Sequence, residues 1–154
     1  MPKPPTYVRA SLIDRLTDDE PKQIVETKPL RVQTLAQLKI SVRRDLEWLL
    51  NTRAIPAPNI NWTNRTVIDY GIPDLGQFFT HNPEDGHRIA EILENTIAAY
   101  EPRLQQVKVK VQSTPNPRER QVWLEAILKV GEVEEAFAFP FMLSDQGKPV
   151  KVLE

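Results

Sequence analysis

The sequence contains no cysteine. That absence excludes disulfides, thiolate metal sites and cysteine nucleophiles together, and it fits a reducing compartment. Histidine is scarce, with His81 and His87 only. Their six-residue separation does not match the i, i+4 spacing of a helical metal pair, so a zinc site is not expected. Glycine is low at 5 against 14 prolines, which excludes a glycine-rich phosphate loop and predicts stiff, extended connections. No apolar run approaches the roughly 20 residues needed to span a bilayer. Met1-Pro2-Lys3-Pro4-Pro5 leads into no apolar stretch of the signal-peptide kind, so an intracellular chain is expected and the sequons at Asn61 and Asn64 carry no glycosylation meaning. A net charge of −1 excludes a bulk electrostatic case for nucleic acid or an anionic membrane.

What is present is an ordinary globular composition in 154 residues, 40% hydrophobic and 27% charged, the size of one core. Residues 1–33 read as an N-terminal arm, interrupted by Pro2, Pro4, Pro5, Pro21 and Pro29 and by the acidic run Asp18-Asp19-Glu20. One short helix is expected at Ser11–Leu16, with Ser11 as N-cap and Leu12, Ile13 and Leu16 as a small apolar face; a turn this short is not stable alone and is expected to pack on this domain or on a partner. Residues 34–154 are expected to form a single α+β domain. Thr34 and Gln37 make a capping box, and Leu35, Leu38, Val42, Leu46, Leu49 and Leu50 follow at helical spacing until about Asn51. Residues 54–83 read as an irregular connection with a short helix near Pro73-Asp74-Leu75. Asn82-Pro83-Glu84-Asp85 starts a second long helix, with Ile89, Ile92, Leu93, Thr96 and Tyr100 inward and Pro102 as its stop.

The last third is β. Val107, Val109 and Val111 alternate with polar residues. Val122–Val130 carries apolar residues on one face and Trp123 and Ile127 on the other, predicting a central strand covered on both sides. Gly131-Glu132 turns into Val133–Phe141, whose Phe137, Phe139 and Phe141 share a face, and Val150–Leu153 is a weak closing strand. The expected fold is two main helices packed on an antiparallel meander of three to four strands, preceded by an extended proline-rich arm. The closing edge is open to strand addition.

Candidate chemistry is thin. Glu47, next to Trp48, is the one residue that suggests a general acid of the glycoside-cleaving kind. Arg43 and Arg44, however, lie one turn before it, where they can pair with it and depress its pKa. Glu101-Pro102-Arg103 sets a rigid corner between an acid and a guanidinium at a helix end. It reads either as a helix stop with surface charges or as a polar surface offered to a partner. Lys108, Lys110, Arg118 and Arg120 around Trp123 suggest an RNA-binding sheet, which the near-neutral charge opposes. No Gly-x-Ser-x-Gly elbow surrounds any serine.

Four blocks carry a resemblance: Arg9–Leu16 (RASLIDRL), Ser41–Arg53 (SVRRDLEWLLNTR), Tyr70–Leu75 (YGIPDL) and Tyr100–Leu104 (YEPRL). In this order and spacing the chain resembles the phage-tail baseplate wedge family historically labelled lysozyme-like, in particular its E-type branch in bacterial type VI secretion baseplates. The resemblance implies a non-enzymatic, cytoplasmic baseplate component near the inner membrane. Its implied partners are F- and G-type wedge subunits, a K-type subunit in the same complex and the start of the contractile sheath, which it would nucleate by strand pairing. It implies no cofactor, no nucleic acid and no membrane insertion. The family's Glu-Pro-Arg signature of baseplate assembly falls on Glu101, Pro102 and Arg103, with Arg44 and Glu47 of the second block as further candidate partner-binding residues. The alternative reading is a peptidoglycan hydrolase with Glu47 as general acid.

Overall fold

The computed structural model describes residues 7–16, 22, 32–55, 62–79, 82, 84–145 and 149–152. The proline-rich start, Pro21, Pro29, Asp18-Asp19-Glu20, Pro56-Ala57-Pro58, His81, Pro83, Gln146-Gly147 and Leu153 lie outside the described residues. Two compact units divide the chain, Met1–Arg44 and Asp45–Glu154. Together they make an α+β protein of helices and antiparallel sheets.

The first unit holds strand β1 (Tyr7–Arg9), helix α1 (Leu12–Leu16), strand β2 (Val32–Thr34) and the start of helix α2 (Leu35–Asn51). β1 and β2 form an antiparallel ribbon in which Val8 faces Gln33. Three-residue strands carry too little periodicity to be read from sequence, so this ribbon is an addition to the expected arm. Thr34 and Gln37 form the expected capping box: the Thr34 N–H donates to Gln37 Oε1 at 2.8 Å and the Gln37 N–H to Thr34 Oγ1 at 3.3 Å. Ser11 caps α1 as expected, accepting the Asp14 N–H at 3.1 Å.

Of the two places expected to cover the apolar face of α1, this domain or a partner, the first does not cover it. Leu12, Ile13 and Leu16 are 67%, 52% and 75% exposed, whereas Asp14 is 7% exposed. The helix is turned inside out because its anchor is polar. Ser11 Oγ donates to Asp14 at 2.7 Å, Ser41 Oγ at 2.8 and 3.0 Å, and Arg44 Nη2 at 2.6 Å. A buried carboxylate is tolerated only when it is hydrogen-bonded and charge-paired, so satisfying Asp14 dictates which side of one helical turn faces in.

The second unit contains the end of α2, with Leu46, Leu49 and Leu50 buried, then 3-10 turns at Val67–Asp69 and Gly76–Phe78, helix α3 (Glu84–Tyr100) and strands β3 (Leu104–Ser113), β4 (Glu119–Val130), β5 (Val133–Ser144) and β6 (Lys151–Val152). The sheet order is β3-β4-β5-β6, all antiparallel, and α3 packs along β3. Asn82 caps α3 by accepting the Glu84 N–H at 3.0 Å. Phe137, Phe139 and Phe141 all enter the core with Val122, Leu124 and Leu128. β3 begins three residues earlier than its valine alternation indicated, with a bulge between Gln105 and Lys108 where Gln106 has φ 52°.

β4 is central, but it is covered on one face only, a correction. Trp123 is 38% exposed, and Glu125 and Lys129 on the same face are exposed. An antiparallel sheet can keep one face in water, and the indole of Trp123 and the aliphatic side chain of Ile127 did not require a second layer.

Two glycines sit at positions that a side chain resists, for different reasons. Gly131 (φ 62°) opens the two-residue β4–β5 turn, the position that type II′ hairpins reserve for glycine, with open space around its Cα. Gly71 (φ 114°) lies where a Cβ would come within 2.5 Å of the Thr52 carbonyl oxygen. There the chain bonds back to α2's end, Ala54 N–H to Ile72 O at 2.9 Å and Ile72 N–H to Thr52 O at 3.0 Å. Gly131→Ala is expected to cost about 1 kcal/mol and Gly71→Ala about 2–3 kcal/mol or more in urea denaturation. Equal costs would remove the backbone clash as the reason for Gly71.

Asp14 sets a pH dependence. Burial pushes its carboxyl pKa up, but hydrogen bonds from Ser11, Ser41 and Arg44, with the charge of Arg44, outweigh burial and hold it below the ordinary 3.8. A depressed folded-state pKa stabilises fully above the unfolded value and is lost as pH falls through the folded one. Hydrogen-exchange protection in residues 7–16 and 32–44 is therefore expected to be flat above about pH 5 and to drop below about pH 4. Asp14→Asn should abolish that acid step.

Candidate assembly interface

The corner after α3 is built around one guanidinium. Pro102 ends α3, and the Glu101 N–H still bonds to Ile97 O at 2.8 Å while the Leu104 N–H returns to Glu101 O at 3.0 Å. This tight turn brings residues 101 and 103 onto one side. Arg103 Nε donates to Glu101 Oε1 at 2.6 Å and Nη2 to Glu101 Oε2 at 2.5 Å, a two-pronged clamp. The same Nη2 reaches Asp45 Oδ2 at 2.6 Å, joining the corner to α2 across 58 residues of chain. The Arg103 carbonyl accepts the Lys129 N–H at 2.7 Å, which ties the corner to β4.

Glu101 is 4% exposed and Arg103 is largely buried, while Pro102 is exposed. Burial alone would lower the arginine's pKa, but Glu101 and Asp45 outweigh it and raise it, so the cation is permanent. Two carboxylates, Glu101 and Asp45, converge on this one guanidinium. Burial, then Asp45, Glu101 and Tyr100, raise the pKa of Tyr70 next to it. Arg103 Nη1 is buried and has no hydrogen-bond partner among the described residues.

A second arginine orders the adjoining loop. Arg65 Nε donates to Tyr100 Oη at 3.1 Å, and its Nη2 bonds to Asp69 O at 2.5 Å and Gly71 O at 3.3 Å. Its guanidinium lies 5.1 Å from the Trp62 ring centroid and 5.2 Å from that of Tyr100. Tyr100 Oη donates to Thr66 O at 2.9 Å, and the Tyr70 and Tyr100 rings meet edge to face at 5.2 Å.

Of the residues singled out from sequence, Glu101, Pro102 and Arg103 come together, and Arg103 binds both Glu101 and Asp45. Arg44 sits in the first unit on Asp14 at 2.6 Å. Glu47 is half-buried on α2. Of the would-be RNA face, Arg120 is buried with its guanidinium over Phe79, and Lys110 is paired with Glu125 at 3.1 Å. Sequence reasoning missed Asp45, Arg65, Tyr70 and Tyr100 as members of one network. Asp45, Tyr70 and Tyr100 do occur in the quoted blocks, but pairing across 58 residues leaves no mark in local spacing. The arrangement is chemically closed. Both carboxylates at the corner are consumed by Arg103, which suits a rigid electrostatic joint rather than proton transfer.

Residues 36–131 match the family described as baseplate wedge protein gp25. That is more than half of the chain, and the chain belongs to this family. Among solved structures, a chain of "The baseplate complex from the type VI secretion system" shares the fold at TM-score 0.52 and 21% identity, over 71% of this chain and 96% of that one. No individual curated protein gives a significant match.

The joint makes a stability prediction. Removing Arg103 strands a buried carboxylate, whereas neutralising Asp45 leaves Arg103 still clamped by Glu101. Arg103→Ala is expected to cost about 3–5 kcal/mol and Asp45→Asn about 1–2 kcal/mol by urea denaturation. Equal costs would show that the Asp45 contact, and not the Glu101 clamp, carries the joint.

Proposed function

We propose that this chain is the E-type wedge subunit of a type VI secretion baseplate, a structural part that works without catalysis. Membership of the wedge family, combined with a Glu101-Pro102-Arg103 corner locked into a rigid ion-paired joint, is the observation that carries the reading. In it, the corner is the surface at which F- and G-type wedge subunits, with a K-type subunit in the same complex, are held. Exposed Pro102 offers a fixed apolar contact on that corner. Arg44 and Glu47 belong to the same proposal as further partner-binding residues.

Sheath nucleation by strand addition is supported by the sheet. β6 pairs with β5 only at Phe141 and Met142, so among the described residues the outer edge of β5 from Val133 to Pro140 has no strand beside it. The chain is proposed to act at the cytoplasmic face of the inner membrane without inserting. No helix among the described residues is long and apolar enough to cross a membrane.

The test is co-purification with the other baseplate subunits. Arg103→Lys keeps the charge but loses the fork. It is expected to stay folded and to be lost from the complex, and wild-type levels of assembly by this variant would overturn the assigned corner. A turbidity assay on purified cell wall addresses hydrolysis. No clearing is expected, and clearing abolished by Glu47→Gln would replace the structural reading with an enzymatic one.

A further inference from the structure

The inverted helix α1 leaves three aliphatic side chains in water at the spacing of a helical anchor. Leu12 and Leu16 are one turn apart and Ile13 lies beside Leu12, all more than half exposed. The outer face of the β1–β2 ribbon turns Tyr7 and Val32 to solvent as well. This exposure is held in place by a built device rather than left by fraying. Asp14 is buried by four hydrogen bonds from Ser11, Ser41 and Arg44, so the polar side of α1 is fixed inward and its apolar side outward.

Charge identifies the kind of occupant. The first unit, Met1–Arg44, contains nine Lys and Arg against five Asp and Glu, a net +4, while the rest of the chain is net −5. Arg9 precedes α1, Arg15 lies in its last turn, and both are exposed. A second copy docking through the same face would oppose two cationic units, which is unfavourable. A lipid surface is served by long amphipathic helices of high moment, and a single turn with three aliphatic anchors buries too little for stable interfacial binding. Anchors at i, i+1 and i+4 suit a groove on another protein.

We infer that Leu12, Ile13 and Leu16 dock into an apolar groove bordered by carboxylates on another baseplate subunit, a second attachment separate from the Glu101–Arg103 corner. The inference rests on the baseplate reading above. Its test is a pull-down of the other baseplate subunits by the full chain at low and high salt, comparing wild type, Leu12→Ser/Leu16→Ser and Arg103→Lys. The double variant is expected to keep hydrogen-exchange protection in residues 32–44, because its substitutions lie in solvent, and to lose retention by about tenfold or more. Wild-type retention is expected to fall with salt. Should the double variant lose protection, Leu16→Gln alone, at the most exposed of the three positions, decides by the same criterion.

Undiminished retention of the folded variant overturns the inference while leaving the baseplate reading intact. Failure of wild type to bind any baseplate subunit overturns both. Two further arms are run without partners. Sedimentation that finds a wild-type dimer and a monomeric double variant assigns the face to a second copy instead. Co-sedimentation of wild type, but not the double variant, with phosphatidylglycerol vesicles assigns it to lipid instead.

Discussion

The guanidinium of Arg103, shared between Glu101 and Asp45, is the interaction on which the larger unit turns. It joins the end of α2 to the end of α3 at the point where the chain passes from helix to sheet, and the Arg103 carbonyl carries the connection into β4. A guanidinium suits this place because its flat fork satisfies one carboxylate with two parallel bonds and retains donors for a second. The surrounding residues extend the same logic. Tyr70 packs against Tyr100 beside the ion cluster, and Arg65 binds Tyr100 while holding the carbonyls of Asp69 and Gly71. An irregular loop thereby acquires a defined path, through these hydrogen bonds as well as the burial of Ile72 and Leu75.

Asp14 plays a comparable part in the smaller unit, with an opposite outcome for the surface. At the Arg103 corner, ion pairing closes polar groups against one another. In α1, ion pairing draws a carboxylate inward and drives aliphatic side chains out. Leucine exposure is ordinary when scattered, but three aliphatic residues on one anchored turn form a feature with a direction. Both units use a buried charge to set geometry, since a charge that must be paired tolerates fewer arrangements than a leucine that needs only to be covered. In a baseplate subunit, such geometric fixity is the useful property.

Long elements were legible in the chain because repetition makes them so. Leu35 to Leu50 and Ile89 to Thr96 repeat at helical spacing over several turns, and Phe137, Phe139 and Phe141 repeat at strand spacing. Caps at Ser11, Thr34 and Asn82 were legible because a cap is a contact between near neighbours. The places where local pattern did not decide the outcome share a different cause. Leu12, Ile13 and Leu16 obey the amphipathic pattern yet face water, because Ser41 and Arg44, some 30 residues away, bind Asp14 more favourably than the leucines could be buried. Trp123 and Ile127 look like a second buried face, but large side chains on an antiparallel strand do not by themselves supply a covering layer. The β1–β2 ribbon was invisible because three residues are too few to show a period.

The sequence by itself determined the α+β class, the two long helices, the antiparallel meander and the family, through patterns confined to neighbouring residues and through four ordered blocks. It also singled out Glu101-Pro102-Arg103, since a proline between opposite charges at a helix end is visible without coordinates. Only the tertiary structure decided what those charges do. Asp45 lies 58 residues from Arg103 along the chain and within hydrogen-bonding distance in space. Arg44, one residue earlier, binds Asp14 in the other unit instead. Adjacent helical positions point about 100° apart, so neighbours in sequence serve different partners, and that choice belongs to the fold.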